Sequence, residues 1–219
     1  MYNICEKTAS PRFEESLNTV VMLLTSLLET KDIYTSNHSQ HVAKLAKEIA
    51  KKLGMNKKET ELVYVAGLLH DIGKIAVPAH ILQKPGKLTR TEFEDIKMHS
   101  EIGYRMLQTT GSLFTSVLPM VRHHHERWDG TGYPGKLKGA QIPRGAAVLA
   151  VADAYDAMVS NRPYRIARVH SEVLEEIKEC SGSQLSPQIV AVFLDNYQEI
   201  KNSVMAEPLS KRISPIDWL

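Results

Sequence analysis

The stretch GAAVLAVADAYDAMVS, residues 145–160, is built almost entirely from small and apolar residues. Its length and composition predict a helix that lies at the centre of the fold and is buried on several sides. Asp153 and Asp156 interrupt this apolar segment. A buried carboxylate costs free energy unless a donor or a cation compensates it, and a metal ion is the simplest partner for Asp153.

On both sides of this segment, apolar residues recur every three or four positions along most of the chain, which is the spacing of helices. No stretch alternates with period two for long enough to predict a sheet, so the expected fold class is all-α. A loop at 129–145 holds five of the twelve glycines, and such glycine density lets a backbone approach a ligand closely. Helices are predicted over residues 12–30, 42–53, 62–69, 93–107, 117–125, 145–160, 172–178 and 188–200.

Composition excludes several classes of function. The formal net charge of +2 does not favour a protein that binds nucleic-acid polymers. Cys5 and Cys180 lack any metal-binding or disulfide spacing, which argues against a thiolate zinc site and favours a reducing compartment. The apolar run at 20–28 is too short to cross a bilayer. We therefore expect a soluble, cytoplasmic protein without membrane contact.

Histidine and aspartate residues stand together at several points of the chain. An aspartate can bridge two cations through its two oxygens, whereas a histidine offers one nitrogen to one metal. Nitrogen and oxygen donors without thiolate favour iron or manganese over structural zinc. Any one of these histidines alone is more typical of a hydrogen-bonded core residue. The case for a metal site therefore rests on the order and context of all of them. The candidates are His70, Asp71, His99, His124, His125 and Asp153.

Five motifs follow one another along the chain: HDIGK (70–74), ILQKPGKLT (81–89), HSEIG (99–103), HHERWDGTGYP (124–134) and VADAYDAMVSNRPYR (151–165). In this order they resemble the HD-GYP family, a branch of the HD phosphohydrolase superfamily, over residues 34–195. The resemblance implies an all-helical HD-domain bundle with a glycine-rich GYP loop, in which residues 34–203 form the catalytic domain. Residues 1–33 would be a helical extension and 204–219 a tail. The resemblance also implies hydrolysis of cyclic di-GMP to linear pGpG, with slow onward cleavage to GMP.

The same resemblance implies a ligand set. Asp71 is expected to bridge two metals, and His38 is either a ligand of the pair or a nearby polar residue. His123 precedes the HHE motif, and His41 stands where the family has arginine, so neither is expected to bind metal. The implied metal ligands are His38, His70, Asp71, His99, His124, His125 and Asp153.

The number of metal ions follows from the residue four positions before His38. In the pattern of family members that bind three metals, a glutamate stands at this position, one helical turn from the histidine. This chain has Tyr34 instead, and a phenol is a poor ligand for a hard divalent ion. We therefore expect two divalent ions, iron or manganese.

Other residues resemble catalytic and substrate contacts. Lys74 matches a phosphate-facing lysine, and Asp156 is expected to hold a nucleophilic water or a ligand histidine. Tyr133 contacts the dinucleotide or anchors its loop, and Arg162 contacts phosphate. Arg165 either does the same or lies on a solvated face. Together with the bridging Asp71, Lys74 and Asp156 are the predicted catalytic residues.

Cyclic di-GMP is the expected partner, and the leading helix could pair with a second copy or the domain with a signalling protein. Two alternatives remain open. The chain could be an HD hydrolase of another nucleotide, such as a hybrid cyclic dinucleotide, or a module that binds cyclic di-GMP without turnover.

Overall fold

The computed structural model describes residues 19–28, 37–160 and 167–206. Within these ranges the chain is helical with no strand, which confirms the all-α prediction. Two short 3-10 helices, Ile72–Ala76 and Gly139–Gln141, complete the described elements. None of the described helices combines the length and apolarity needed to cross a bilayer. The α-helices are residues 19–28 (α1), His38–Lys52 (α2), Lys57–Leu69 (α3), Ala79–Leu82 (α4), Arg90–Gln108 (α5), Leu118–His123 (α6), Arg144–Val159 (α7), His170–Glu179 (α8), Pro187–Asp195 (α9) and Tyr197–Ala206 (α10).

Helix α7 is the central element, as its composition predicts. Nine of its sixteen residues are buried, and it packs against α2, α3, α6, α8 and α9. Helix α2 lies alongside both α7 and α3, so these three helices form the middle of the core. At the contact between α2 and α3, a Cβ on Gly67 would lie 2.6 Å from Ala43 Cα, so glycine sets the close approach.

A second glycine brings the 3-10 helix Ile72–Ala76 against α5. A Cβ on Gly73 would collide with the backbone carbonyl of His99. Because glycine lacks that atom, the chain after His70 and Asp71 can lie directly on α5. The two motifs HDIGK and HSEIG therefore meet through backbone contact, and their histidines face one site.

Three predicted elements differ from the structure. Residues 188–200 form two helices rather than one, because Asn196 has non-helical dihedral angles and its side chain donates to the Val192 carbonyl at 2.9 Å. Helix α6 ends at His123, so His124 and His125 lie just beyond it. Between the helices predicted at 62–69 and 93–107, where no helix is predicted, the chain forms α4. Of the leading helix predicted at 12–30, residues 19–28 are described and helical.

Candidate metal centre and substrate pocket

Two groups of potential ligands meet at Asp71. Within each group, one ligand atom from every member lies within 4.8 Å of the others. Asp71 belongs to both groups, so its two carboxylate oxygens are positioned to join two metal sites. The first group is Asp71, His99, His124 and His125, and the second is His38, His70 and Asp71.

Asp71 itself is buried and surrounded by donors. Its Oδ1 lies 3.4 Å from His99 Nε2, and its Oδ2 lies 3.3 Å from His70 Nε2 and 2.6 Å from Lys74 Nζ. Burial alone would raise the pKa of this carboxyl group, but the charge of Lys74 and the adjacent His70 ring outweigh burial and hold the pKa well below its ordinary value. Asp71 is therefore an anion, the form that binds metal.

Backbone carbonyls orient three of the histidine rings. In each case Nδ1 lies within hydrogen-bond distance of the carbonyl three residues earlier, which directs Nε2 towards the site, where those of His99 and His124 lie 3.2 Å apart. His70 Nε2 is buried and, in the described part of the chain, has no hydrogen-bond partner. A buried ring nitrogen without a hydrogen-bond partner is a position that would suit a bound cation. The Nδ1 distances are 2.7 Å from His70 to Gly67, 2.6 Å from His99 to Ile96 and 2.7 Å from His124 to Val121.

The three histidines of the first ligand group are neutral. Burial lowers the pKa of His99 and, more strongly, that of His124, and neighbouring histidines reinforce the effect at His124. Burial, reinforced by the neighbouring His99 ring, lowers the pKa of His125 to about 3. Since neutral imidazole is the ligand form, these rings need lose no proton to bind a metal at neutral pH.

His38 differs from these histidines. Its Nε2 lies 3.1 Å from Asp153 Oδ1, and its Nδ1 lies 2.7 Å from Asp156 Oδ2. Burial lowers its pKa, but hydrogen bonds to Asp153 and Asp156 outweigh burial and raise the pKa to about 9. His38, a member of the second ligand group, is thus a protonated ring held between two carboxylates. It must lose a proton before it can coordinate a metal.

Asp153 and Asp156 both carry depressed pKa values, although burial opposes this, because His38 donates to each of them. Asp153 belongs to neither ligand group as the side chains stand, yet His38 ties it to the second group. Asp156 also lies 3.5 Å from His41 Nδ1 and accepts from Ser160 Oγ at 3.2 Å. His41, which was not expected to bind metal, contacts Asp156, and its position three residues after His38 places both on one helix face.

Glu126 anchors the glycine-rich loop. Its carboxylate accepts from the backbone N–H of Gly135 at 2.6 Å and of Leu137 at 3.0 Å, and it lies 3.1 Å from His123 Nδ1. A Cβ on Gly135 would lie 2.9 Å from Glu126 Oε1, so the loop packs tightly onto this side chain. The sequence predicts no role for Glu126. His123, within the described residues, belongs to neither ligand group and instead faces Glu126.

Tyr133, held in this loop, borders both the metal ligands and an open pocket. Its ring centroid lies 4.9 Å from that of His125, and its N–H donates to the His125 carbonyl at 3.2 Å. Burial raises the pKa of its phenol, so the hydroxyl stays protonated and can donate a hydrogen bond. The adjoining pocket has a volume of about 670 Å³ and lies between the loop and the outer face of α5.

The remaining predicted site residues divide into two sets. Lys74 lies at the metal centre through its ion pair with Asp71. Arg162 and Arg165, predicted to contact phosphate, lie outside the described residues, and so does Tyr34. For the described residues, the buried carboxylate shared by two groups, the neutral histidines and the buried His70 Nε2 together fit the binding of divalent cations.

Comparison with known proteins places this site in a family. An all-helical fold with a buried cluster of histidine and aspartate side chains is consistent with an HD domain. The model of the HD domain family matches residues 22–189, and the chain belongs to this family. The resemblance seen in the sequence is therefore confirmed at the level of the HD family.

Two curated relatives have names that state a substrate. The chain is 42% identical over 201 residues to a cyclic di-GMP phosphodiesterase of Thermotoga maritima, an alignment that covers 90% of this chain and 55% of the relative. It is 36% identical over 217 residues to a 3'3'-cGAMP-specific phosphodiesterase of Vibrio cholerae, covering 96% of this chain and 48% of that protein. The chain thus spans about half the length of these relatives.

A solved structure supports the same fold. The crystal structure of a cyclic GMP-AMP specific phosphodiesterase in V. cholerae superimposes with a TM-score of 0.68 at 18% identity. The match covers 91% of this chain and 53% of the other. At this identity the likeness establishes the fold alone.

Proposed function

We propose that this chain is a metal-dependent phosphodiesterase that hydrolyses cyclic di-GMP to pGpG and, slowly, to GMP. One observation carries the proposal: the buried carboxylate of Asp71 is common to both ligand groups. Paired metal ions can clamp a phosphodiester and supply the attacking hydroxide, and a carboxylate shared by both groups would hold two such ions close together. The identity to a relative named as a cyclic di-GMP phosphodiesterase supports the choice of substrate.

The proposed cofactor is a pair of iron or manganese ions. His99, His124 and His125 would hold one ion with Asp71, and His70 and His38 the other, with Asp153 completing the site. When bound, such a pair supplies a hydroxide nucleophile at neutral pH and stabilises negative charge on the phosphoryl oxygens.

Other side chains would prepare the substrate for this chemistry. Lys74, now paired with Asp71 at 2.6 Å, can turn its ammonium group to a phosphate oxygen and offset developing charge. Asp156 fixes the orientation of His38 through its 2.7 Å hydrogen bond. Tyr133 would contact the dinucleotide at the pocket beside His125, and Arg162 and Arg165 would contact its phosphates.

A hybrid cyclic dinucleotide is the second candidate substrate. The 36% identity to a 3'3'-cGAMP-specific phosphodiesterase favours it, because the aligned region covers 96% of this chain. The two substrates differ by one base only, so the same metal centre can serve either. The residues that contact the base would therefore determine which of the two substrates is preferred.

The test is metal content measured together with turnover. The protein is purified anaerobically, its metals are counted by mass spectrometry, and hydrolysis of cyclic di-GMP and of 3'3'-cGAMP is followed by chromatography. We expect about two iron or manganese ions per chain, with pGpG appearing before GMP. Full metal occupancy without hydrolysis of either nucleotide would instead indicate a binding module. Faster hydrolysis of 3'3'-cGAMP would make that nucleotide the substrate.

A further inference from the structure

The outer face of α5 presents a Lys–Glu pair to the pocket beside Tyr133. Lys97 Nζ lies 2.7 Å from Glu94 Oε1, and both side chains line the pocket. Neither residue belongs to the metal ligand groups of the described chain. Phe93 lines the same pocket and is nearly half exposed, which leaves an apolar surface at its rim.

A continuous row of side chains connects this pair with the metal centre. The Lys97 ammonium lies 4.8 Å from the ring centroid of Phe93 and 5.6 Å from that of Tyr133. The Tyr133 ring in turn lies 4.9 Å from the metal-ligand candidate His125. With a volume of about 670 Å³, the pocket can hold a nucleoside whose phosphate lies at the metals.

Another acidic residue of the pocket, Glu101, is not free to bind a ligand. One of its oxygens accepts from Arg105 at 3.1 Å and the other from Arg122 at 2.8 Å. Glu94 has a single described ion pair, with Lys97, and its side chain is 59% exposed. Of these two carboxylates, Glu94 is the more exposed, and only one of its oxygens takes part in a described ion pair.

The pair matches the hydrogen-bonding edge of guanine. Guanine presents the acceptor O6 beside two donors, N1–H and N2–H, whereas adenine presents a donor at N6 beside an acceptor at N1. The ammonium of Lys97 can donate to O6 while the carboxylate of Glu94 accepts from both donors. Against adenine the same pair would set a donor against a donor and an acceptor against an acceptor, which penalises binding.

We propose that Glu94 and Lys97 form a guanine-selective subsite for one base of the dinucleotide, with Tyr133 and Phe93 supplying apolar contact to the base. This inference rests on the proposed function, because it takes the ligand to be a cyclic dinucleotide. It makes α5 a determinant of base specificity in addition to its part in the metal centre. Base contact with aromatic side chains adds affinity without sequence preference, so the selectivity resides in the Lys–Glu pair.

The experiment measures binding by calorimetry on the metal-loaded chain. The probes are hydrolysis-resistant phosphorothioate analogues of cyclic di-GMP and cyclic di-AMP. We expect the wild type to bind the guanine analogue roughly tenfold more tightly. Glu94→Gln should remove this preference, because glutamine offers one acceptor and one donor and so complements adenine. Glu175→Gln is the matched control, since Glu175 forms an i,i+3 pair with Lys178 on α8, away from the pocket.

The outcomes separate the two proposals. A preference that persists in Glu94→Gln, or no preference in the wild type, would overturn the guanine subsite. Loss of the preference in Glu94→Gln but not in Glu175→Gln, with unchanged melting temperatures, would establish it. If the wild type binds the guanine analogue selectively but hydrolyses no cyclic dinucleotide, the catalytic proposal fails and the subsite stands.

Discussion

His38 Nδ1 donates to Asp156 Oδ2 at 2.7 Å, and this hydrogen bond ties the metal centre to the central helix. The opposite nitrogen of the same ring lies 3.1 Å from Asp153. His38 is consequently held between two carboxylates of α7, whereas the histidines of the first ligand group are oriented by backbone carbonyls or by packing. The two halves of the site therefore differ in proton content before any metal binds.

This difference predicts a pH dependence for metal binding. The raised pKa of about 9 keeps His38 protonated at neutral pH, so occupation of the second site must release that proton. The apparent affinity of the second site should rise with pH, by roughly tenfold per unit below that pKa, while the first site changes little. Manganese titrations by calorimetry at several pH values, in buffers of different ionisation enthalpy, would measure the proton release. Equal pH dependence at both sites would contradict the prediction.

The same ring predicts a stability change in the metal-free protein. The pKa of His38 is raised from 6.5 to about 9 on folding. Its contribution to stability is therefore complete below pH 6.5 and is lost as the pH rises through about 9. The contribution should be on the order of 1–3 kcal/mol. Thermal unfolding between pH 6 and pH 10, compared with Asp156→Asn, should show the decline flattened in the variant.

Removal of the shared carboxylate tests the bridging role. Asp71→Asn keeps the size of the side chain but removes the negative charge between the two ligand groups. We expect both metals to be lost together and hydrolysis to fall to background, because each group depends on Asp71. Asp195→Asn, at the exposed end of α9, is the control and should keep two metals per chain. Retention of one tightly bound ion in Asp71→Asn would contradict a shared ligand.

Much of this site is predictable from the sequence, for a physical reason. Few side chains can replace a metal ligand, so the order of motifs that resembles the HD-GYP family predicts His70, Asp71, His99 and His124 as ligands. The structure brings these side chains into the two groups that share Asp71. The apolar composition of residues 145–160 predicts the buried central helix without any such resemblance.

Other features depend on contacts between distant segments. The high pKa of His38 requires two carboxylates more than a hundred residues away in the chain, which no local pattern records. The end of α9 at Asn196 depends on a side-chain bond to Val192 competing with the helix. The role of Glu126 as a loop anchor appears only when Gly135 and Leu137 fold back onto it.

Glu126→Gln tests whether this anchor positions Tyr133. Glutamine replaces one acceptor oxygen with a donor, which would face the N–H of Gly135 or Leu137 and cost about 1–3 kcal/mol locally. We expect faster hydrogen exchange of residues 130–137 and a raised KM for cyclic di-GMP, with metal content unchanged. Glu179→Gln, on the exposed surface of α8, is the control. Unchanged exchange in the loop would show that Glu126 does not hold it.

Two substitutions can distinguish the roles of His123 and His125 within the run of three histidines. His123→Ala removes a ring that faces Glu126 at 3.1 Å, whereas His125→Ala removes a member of the first ligand group. We expect His123→Ala to keep both metals and to show a raised KM, because only the loop anchor is weakened. His125→Ala should bind the first metal at least tenfold more weakly and lose kcat, because a direct ligand is gone. Metal analysis after dialysis, together with steady-state kinetics, distinguishes the two effects. If His123→Ala lost metal as readily as His125→Ala, the site would extend to all three histidines, and the ligand groups would have to be redrawn around His123.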